Sequence, residues 1–409
     1  MWAYLSKTTG FGGEIKKNPE DFLVEEISKD GSVLKIDKRI KKRKDTGDFT
    51  YFILQKRNWD TMQALRAVSS MLHCSVKRFN YAGLKDRVAI TTQLASGYKI
   101  DKKQLLNLKI KDIRINGAWL EKEKLRIGDL LGNKFQIVVR NIEVDDAKTR
   151  IKQILNELQG IVPNYFGEQR FGSIRKNTHL VGKAIVSGNF KDAVWCYLTY
   201  IDDNESESGK EARKQLAAEG DFKKALNYFP NNLKYERTLL SHLSSYPNDY
   251  VNAIRKLPRG LSLMFVHAYQ SYIFNKILSK KISEGEIMIR RGDTVCSKDK
   301  FDFPNLVKIK KAEKKIEISK YLPVGRVIGY ETGNLNDDEK EILREEGINK
   351  NCFLIKSSPE LSSKGTLRCF FISIEKLKFK SEIDKLIFNF PLPAGAYATV
   401  AVREFIDRK

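Results

Sequence analysis

The amino-acid sequence predicts an α+β fold with two or three domains. Its 409 residues are 41% apolar, which is enough for more than one hydrophobic core. Segments in which apolar residues alternate with polar ones are followed by segments with apolar residues at helical spacing. This alternation of strand and helix patterns in the N-terminal part is typical of a mixed sheet with flanking helices.

The N-terminal part contains clear element boundaries. Pro19 cannot pair in a ladder, so it marks the turn into a strand that begins at Phe22. Asp60 or Thr61 can cap the first helix, and Gly160 ends the second. The predicted elements here are strands from Phe22 and over Phe49–Leu54, a helix with Met62, Leu65, Val68 and Leu72, strands around Phe79 and over Val88–Leu94, and a helix over Asp145–Leu158.

Composition changes after about residue 175, where helical patterns dominate. The acidic segment 202–209 has no apolar residue and is expected to be an exposed loop. Leu261–Ile277 has a broad apolar stripe and is the strongest predicted helix. Strand patterns return over Val307–Lys310, Lys315–Ile318, Thr366–Ile374 and Leu386–Pro391, and in the first two a period of two puts lysines on one face.

Asp86 is a candidate carboxylate nucleophile. It follows a predicted strand in a loop with Gly83, between Lys85 and Arg87, so the carboxylate is expected to stay ionised. Taken by itself, an aspartate in a surface turn is the commoner explanation. The case for Asp86 as a nucleophile therefore depends on the other motifs of the chain.

The segment N-Y-F-G-E-Q-R-F-G, residues 164–172, combines three aromatic residues, two amides and an arginine. Aromatic rings can stack on bases, and amides can read the edge of a flipped-out base. Core packing is the favoured explanation for Phe166 and Phe171. Asn164 and Arg170 are the better candidates for substrate contact.

Two further segments could contact RNA. Tyr397 lies between Gly395 and the pair Arg403 and Glu404, and either base stacking or packing of a terminal strand explains it equally well. The basic run 38–44 could bind phosphates, although such runs are often solvated hairpins.

Charge and composition exclude several classes of protein and of site. The formal charge is +23, which favours an anionic partner, most commonly a nucleic acid, with an acidic membrane surface as the competing explanation. The five scattered cysteines and four separated histidines predict no disulfide framework, zinc site or metal-dependent chemistry. The N-terminal segment lacks the apolar core of a signal peptide and no apolar run could span a bilayer, so the expected location is the cytoplasm, without membrane contact. No heptad pattern is present, so a monomer is expected.

Five segments in this order closely resemble the TruD family of tRNA pseudouridine synthases, from residue 16 to residue 404. They are K-K-N-P-E-D-F-L-V-E-E, Y-A-G-L-K-D-R-V-A-I-T-T-Q, N-Y-F-G-E-Q-R-F-G, F-V-H-A-Y-Q-S-Y-I-F-N and L-P-A-G-A-Y-A-T-V-A-V-R-E. The resemblance implies isomerisation of a uridine in RNA, most specifically uridine 13 in the D arm of tRNA, with no cofactor and no metal.

The resemblance also implies roles for individual residues. Asp86 falls on the family's nucleophile, which attacks either C1′ or the base. The substrate-binding positions fall on Phe22, Asn164 and Tyr397. Phenylalanine is common at the last position in bacterial members. Tyrosine keeps the aromatic ring, so stacking on the base should persist. The hydroxyl of Tyr397, which phenylalanine lacks, could help to move the C5 proton. Because a cation within about 4 to 6 Å keeps a carboxylate charged, the candidate neighbours of Asp86 are Lys16, followed by Lys85 and Arg403.

The implied fold is the pseudouridine synthase fold, a mixed and mainly antiparallel sheet with flanking helices. Residues 1–175 and 365–409 would form the catalytic domain and residues 176–364 an inserted TRUD domain.

Two other functions stay open. One is a catalytically silent RNA-binding protein on the same scaffold. The other is a glycosidase or nucleobase hydrolase that uses Asp86 with Glu25 or Glu404 as the acid.

Overall fold

A computed structural model describes residues 2–41, 46–285, 288–316, 318 and 320–407. Within them the strands are β1 Phe22–Ser28, β2 Phe49–Arg57, β3 Phe79–Tyr81, β4 Ile90–Tyr98, β5 Ile113–Glu121, β6 Leu130–Arg140, β7 Ile161–Pro163, β8 Thr294–Lys298, β9 Pro304–Lys311, β10 Tyr321–Val327, β11 Thr366–Cys369, β12 Phe371–Ser373, β13 Lys378–Glu382 and β14 Lys385–Pro393. The α-helices are α1 Thr61–Met71, α2 Lys102–Leu106, α3 Val144–Leu158, α4 Thr178–Val186, α5 Phe190–Thr199, α6 Glu207–Glu219, α7 Phe222–Tyr228, α8 Lys234–Ser245, α9 Tyr250–Arg255, α10 Arg259–Ser283, α11 Asp337–Glu345 and α12 Ala398–Ile406.

The chain forms two compact units, each built from three chain segments. Unit 1 consists of Met1–Tyr4, Pro163–Ser297 and Asn305–Phe370. Unit 2 consists of Leu5–Val162, Lys298–Pro304 and Phe371–Lys409.

Unit 2 is built on an eight-stranded mixed sheet. The strand order is β13-β14-β6-β1-β4-β2-β5, and β3 pairs with β4. Among its described pairings only β1 with β4 is parallel, and all the others are antiparallel. This arrangement places the start of β1 beside the start of β4, so the segments that precede these two strands lie at the same end of the strands.

Helices α3 and α12 cover the half of this sheet that contains β13, β14, β6 and β1. Alternate residues of β14, among them Phe388 and Phe390, pack with Ile151 and Ile154 of α3 and with Phe405 of α12. All are almost completely buried. Their spacing, two along the strand and three along α3, gives each element one apolar face, which explains why the sheet and helices associate.

The other half of the sheet is covered by α1 and α2. Leu65 and Val68 of α1 pack on Phe52 and Leu54 of β2. The predicted cap of α1 is confirmed, because the Asp60 carboxylate accepts a hydrogen bond of 2.8 Å from the Gln63 amide. This cap satisfies an amide that has no partner within the helix.

Unit 1 is mainly helical and centres on α10. Gly182 of α4 lies against the Phe265 carbonyl of α10, and a Cβ at this position would clash with that oxygen, so glycine permits the close approach of the two helices. A four-stranded sheet of order β11-β10-β8-β9 completes the unit. None of the helices in the described ranges has both the length and the apolar character that a membrane-crossing segment needs.

Several predicted boundaries differ from the structure. The acidic segment 202–209 is a loop only at its start, because Ser206 caps α6 by accepting a hydrogen bond from the Gly209 amide. The predicted strand over 366–374 is divided between β11 and β12, which belong to different sheets. The segment after Tyr397 is helix α12, not a strand. The basic residues 42–44 and part of the predicted strand over 315–318 lie outside the described residues.

The packing of β14 leads to a stability prediction. Phe388 is 0% exposed and its ring contacts Phe11 and Phe405, so Phe388→Ala should lower the free energy of unfolding by about 3–5 kcal/mol in urea denaturation. The control is Ile383→Ala in the turn before β14. Ile383 is 94% exposed, so this change should stay within about 0.5 kcal/mol of the wild type. Equal effects would contradict the assigned burial.

Candidate active site

Asp86 lies in the loop 82–89, which joins β3 to β4, as the sequence predicts. Its side chain is 34% exposed. Neighbouring backbone groups fix the loop: the Gly83 carbonyl accepts from the Gln93 side chain at 3.0 Å, and the Lys85 amide donates to the Thr61 hydroxyl at 3.0 Å. The carboxylate therefore reaches solvent from a loop that both α1 and β4 hold in place.

Lys16 is the charged partner of Asp86. Its Nζ lies 2.8 Å from Asp86 Oδ2, and the Lys16 side chain is 24% exposed. The same ammonium lies 4.1 Å from the centre of the Phe22 ring, which adds a cation–π contact. Phe22 is the first residue of β1 and is only 1% exposed. Three predicted site residues, Lys16, Phe22 and Asp86, are thus adjacent.

An ion pair fixes the segment between Lys16 and β1. Arg140 of β6 donates to both oxygens of Asp21 at 2.8–3.1 Å, and Asp21 also accepts from the Asn18 amide at 2.9 Å. Burial raises the pKa of Asp21, but these hydrogen bonds outweigh it and the net shift is downward. The aspartate of the E-D-F motif therefore holds the backbone that leads into Phe22 at the start of β1.

Lys85 has a different partner from Asp86. Its Nζ lies 2.7 Å from Glu26 of β1, and both side chains are almost completely buried. Glu26 also accepts a hydrogen bond of 2.9 Å from the Leu94 amide. This buried pair connects the loop 82–89 to β1 and β4.

Lys56 of β2 is a residue that the sequence analysis missed. It is 0% exposed, and its Nζ donates to the carbonyls of Trp59 at 2.6 Å, Asp86 at 2.8 Å and Lys85 at 3.4 Å. Burial lowers the pKa of Lys56 to about 8, against the opposing effect of the nearby Asp86 charge. A single ammonium group therefore binds the backbone at Asp86 directly.

The two predicted residues near the C-terminus lie around α12. Tyr397 is the residue before the helix and is half-buried. Arg403 lies in the last turn of the helix and is also half-buried. Glu404 is completely buried and accepts hydrogen bonds from the amides of Leu5 and Ser6 at 3.1–3.2 Å.

Asn164 belongs to unit 1, where its side chain is 6% exposed. Its Nδ2 donates to the Cys369 carbonyl at 2.9 Å, and its Oδ1 accepts from Arg368 at 2.7 Å. The Arg368 guanidinium lies 4.1 Å from the centre of the Phe166 ring. Arg170 donates to the Ser271 hydroxyl at 3.2 Å. The segment 164–172 therefore forms a connected network of polar and aromatic groups within unit 1.

Comparisons with known proteins identify the family of the chain. A family model described as tRNA pseudouridine synthase D (TruD) matches residues 1–405. The chain belongs to the TruD family. The fold predicted from the sequence is confirmed, and so is the enzyme class, since pseudouridine synthases are isomerases.

Individual TruD relatives cover nearly the whole chain. A protein named probable tRNA pseudouridine synthase D from Methanosarcina mazei is 37% identical over 98% of this chain and 95% of its own length. One of the same name from Methanopyrus kandleri is 38% identical over 88% of this chain and 86% of its own length. A crystal structure of a putative TruD from Methanosarcina mazei matches with a TM-score of 0.78 and 36% identity, covering 99% of this chain and 95% of that chain.

The TruD motifs do not include Lys56, which contacts the backbone at Asp86, or Arg368, which contacts Asn164. Lys56 lies near the end of β2, and Arg368 lies within β11 in the other unit. A lysine within a buried strand is an unusual signal that could have singled out Lys56. Among the described residues no group of three or more His, Cys, Asp or Glu side chains could hold a metal ion.

Lys56 leads to a prediction about pH. Because its pKa is lowered on folding, the unfolded chain binds more protons between about pH 8 and the ordinary value of 10.5. Lys56 should therefore make the free energy of unfolding rise with pH in this range, by up to about 1.4 kcal/mol per pH unit. In urea denaturation from pH 7.5 to 10, Lys56→Met should lack this rise, whereas Lys103→Met, an exposed lysine of α2, should keep it. Parallel curves for the wild type and Lys56→Met would contradict the assigned environment.

Proposed function

We propose that this chain isomerises uridine to pseudouridine in tRNA, with Asp86 as the nucleophile. The observation that carries the proposal is the Asp86 carboxylate, 2.8 Å from the Lys16 ammonium on a fixed and solvent-accessible loop, in a chain of the TruD family. The target that we propose is uridine 13 in the D arm, on the strength of the five TruD segments. A monomer is the proposed working state.

The proposed reaction breaks the C1′–N1 glycosidic bond, turns the uracil and forms a C5–C1′ bond. C5 loses a proton and N1 gains one, so the product is an isomer of the substrate and the reaction consumes no cofactor. Asp86 can act by attack on C1′ or on the base. In either case a carboxylate oxygen of Asp86 attacks, and Oδ2 lies 2.8 Å from the Lys16 ammonium.

The other site residues have proposed roles around this carboxylate. Phe22 forms the apolar floor beneath Lys16, and Tyr397 stacks on the uracil. Arg403 is proposed to bind phosphate or the base. Lys85 and Asn164 remain predicted substrate contacts, although a contact with substrate would require each to exchange a hydrogen-bonding partner, Glu26 for Lys85 and Arg368 or the Cys369 carbonyl for Asn164.

The domain assignment is part of the same proposal. Residues 1–175 and 365–409 would carry the chemistry, and 176–364 would be the inserted TRUD domain. Lys16, Phe22, Asp86, Tyr397 and Arg403 all belong to unit 2, which supports a catalytic role for that unit.

The alternative functions have less support. A hydrolase would need a free carboxylic acid near Asp86, but Glu404 accepts several backbone hydrogen bonds and Glu25 accepts from the Ile36 amide at 3.1 Å. A silent RNA-binding protein would not need the Lys16–Asp86 pair.

Asp86→Asn tests the nucleophile. On an unmodified tRNA transcript, the wild type should form pseudouridine at a single D-arm position, and Asp86→Asn should lower the rate by a factor on the order of 10⁴ or more. Nucleoside mapping gives the position, and a release assay for free uracil tests the hydrolase.

The matched control is Asp129→Asn, which removes the aspartate of another lysine pair in unit 2, with Lys29 at 2.6 Å. Its rate should stay near that of the wild type. If Asp86→Asn retains full activity, Asp86 is not the nucleophile. If the wild type binds tRNA and modifies no transcript, the silent RNA-binding protein becomes the better description.

The net charge of +23 predicts a steep dependence of tRNA binding on salt. If 6–10 phosphates are contacted, affinity should fall by about 10³–10⁵ between 50 and 200 mM salt, because each contact releases counterions. Fluorescence anisotropy with labelled tRNA measures this slope. A flat dependence would contradict a phosphate-binding surface.

A further inference from the structure

A polar groove runs along α8 in unit 1, and none of the roles proposed above involves it. Its volume is about 730 Å³. One face of α8, with residues three or four apart, forms most of its wall, while Leu239, Leu240 and Leu243 on the opposite face are buried in the core. The residues of α8 that line the groove are Lys234, Arg237, Thr238, Ser241, His242 and Ser245.

The groove carries uncompensated positive charge. None of the residues that line it is an aspartate or glutamate. Lys234 and Lys256 are exposed and have no ion pair with any residue that the structure describes. Elsewhere in unit 1, Lys183 and Lys276 both pair with Glu346, at 2.8 and 2.9 Å. The groove therefore offers two lysine charges that no carboxylate neutralises.

Arg237 adds a fixed cation. Its guanidinium donates to the carbonyls of Leu226 and Phe229, both at 2.8 Å. These bonds immobilise the side chain before any ligand binds, so less entropy is lost when the guanidinium binds an anion.

Tyr246 provides an exposed aromatic ring in the same groove. Its side chain is 62% exposed, and the ring lies 5.2 Å from the imidazole of His242. His242 is hydrogen-bonded to Asp249 at 3.1 Å, which orients the imidazole. An exposed ring that is held from one side leaves its other face for stacking.

We propose that this groove is an RNA-binding site for a single-stranded or loop segment. Lys234, Lys256 and Arg237 bind phosphates, and Tyr246 stacks on a base. The combination of unpaired cations with an exposed aromatic ring favours RNA over an acidic peptide, which would need the cations but not the ring. The inference deepens the proposed function, because it rests on RNA as the substrate and adds a second contact to it.

The charge test uses a labelled, unmodified tRNA transcript and anisotropy at several salt concentrations. For Lys234→Ala/Lys256→Ala, the slope of log affinity against log salt should become shallower by about 1.4–1.8, because two phosphate contacts are lost. The control is Lys340→Ala/Lys364→Ala, which removes the same charge from unit 1 at exposed lysines paired with Asp337 and Glu331. Its slope should match that of the wild type.

The stacking test compares two tyrosines. Tyr246→Ala should weaken tRNA binding by about 5- to 150-fold, the loss of one base stack, with the salt slope unchanged. Tyr235→Ala is the control. Like Tyr246, Tyr235 is exposed, but it lies within α8 and does not line the groove. Its affinity should equal that of the wild type. Thermal unfolding of each variant checks that these surface changes leave the fold intact.

Two results would overturn the proposal. One is equality of each groove variant with its control in both slope and affinity. The other is tight binding of poly-L-glutamate that depends on Tyr246 and the two lysines as strongly as tRNA binding does, since this would assign the groove to an acidic protein partner.

The test separates this inference from the proposed function. If the wild type forms pseudouridine and the groove variants behave like their controls, only the groove assignment fails. If no transcript is modified but the groove variants lose tRNA affinity, the groove assignment stands and the proposed reaction fails.

Discussion

The position of Asp86 depends on one buried ammonium group. Lys56 Nζ donates to the carbonyls of Trp59 and Asp86 at 2.6–2.8 Å from within β2, a strand paired on both sides. Without this donor, each carbonyl that lost its partner would cost about 1–3 kcal/mol. Because β2 is fixed by the sheet, the ammonium transfers that rigidity to the backbone of the loop 82–89. The Asp86 carboxylate is thereby placed by the core of unit 2 and not by the loop itself.

The lysines near this loop pair with different carboxylates. Lys85 pairs with Glu26 in the interior, whereas Lys16 pairs with Asp86 at the surface. A buried ion pair is a weak source of net stability, but removal of one partner is costly, so the pair of Lys85 with Glu26 favours one conformation of the loop. The partly exposed pair leaves the Asp86 carboxylate accessible to solvent. Adjacent residues of the A-G-L-K-D motif thus serve opposite purposes.

The distribution of positive charge, beyond its total, distinguishes the surfaces of unit 1. The lysines of α4 and α10 are neutralised by the carboxylates around α11, and they stabilise helix packing. The lysines along α8 and after α9 have no such partners among the described residues. The ion-paired lysines are cancelled by the carboxylates that they contact, so the net charge of +23 comes from the cations in excess of the carboxylates.

Sequence patterns were sufficient to predict the fold class, the family and most of the elements around Asp86. The cap at Asp60, the loop position of Asp86 and the helix that ends before Gly160 all depend on local patterns, which neighbouring residues specify. The same local reasoning failed at 366–374, where one continuous strand pattern is shared between two sheets. Three sets of contacts could be identified only in the folded chain. They are the pair of Lys16 with Asp86, the hydrogen bond of Lys56 to the Asp86 carbonyl, and the hydrogen bonds of backbone amides to Glu404. These contacts join residues tens to hundreds of positions apart, and the free energy that selects them comes from burial and pairing in three dimensions, which no local pattern encodes.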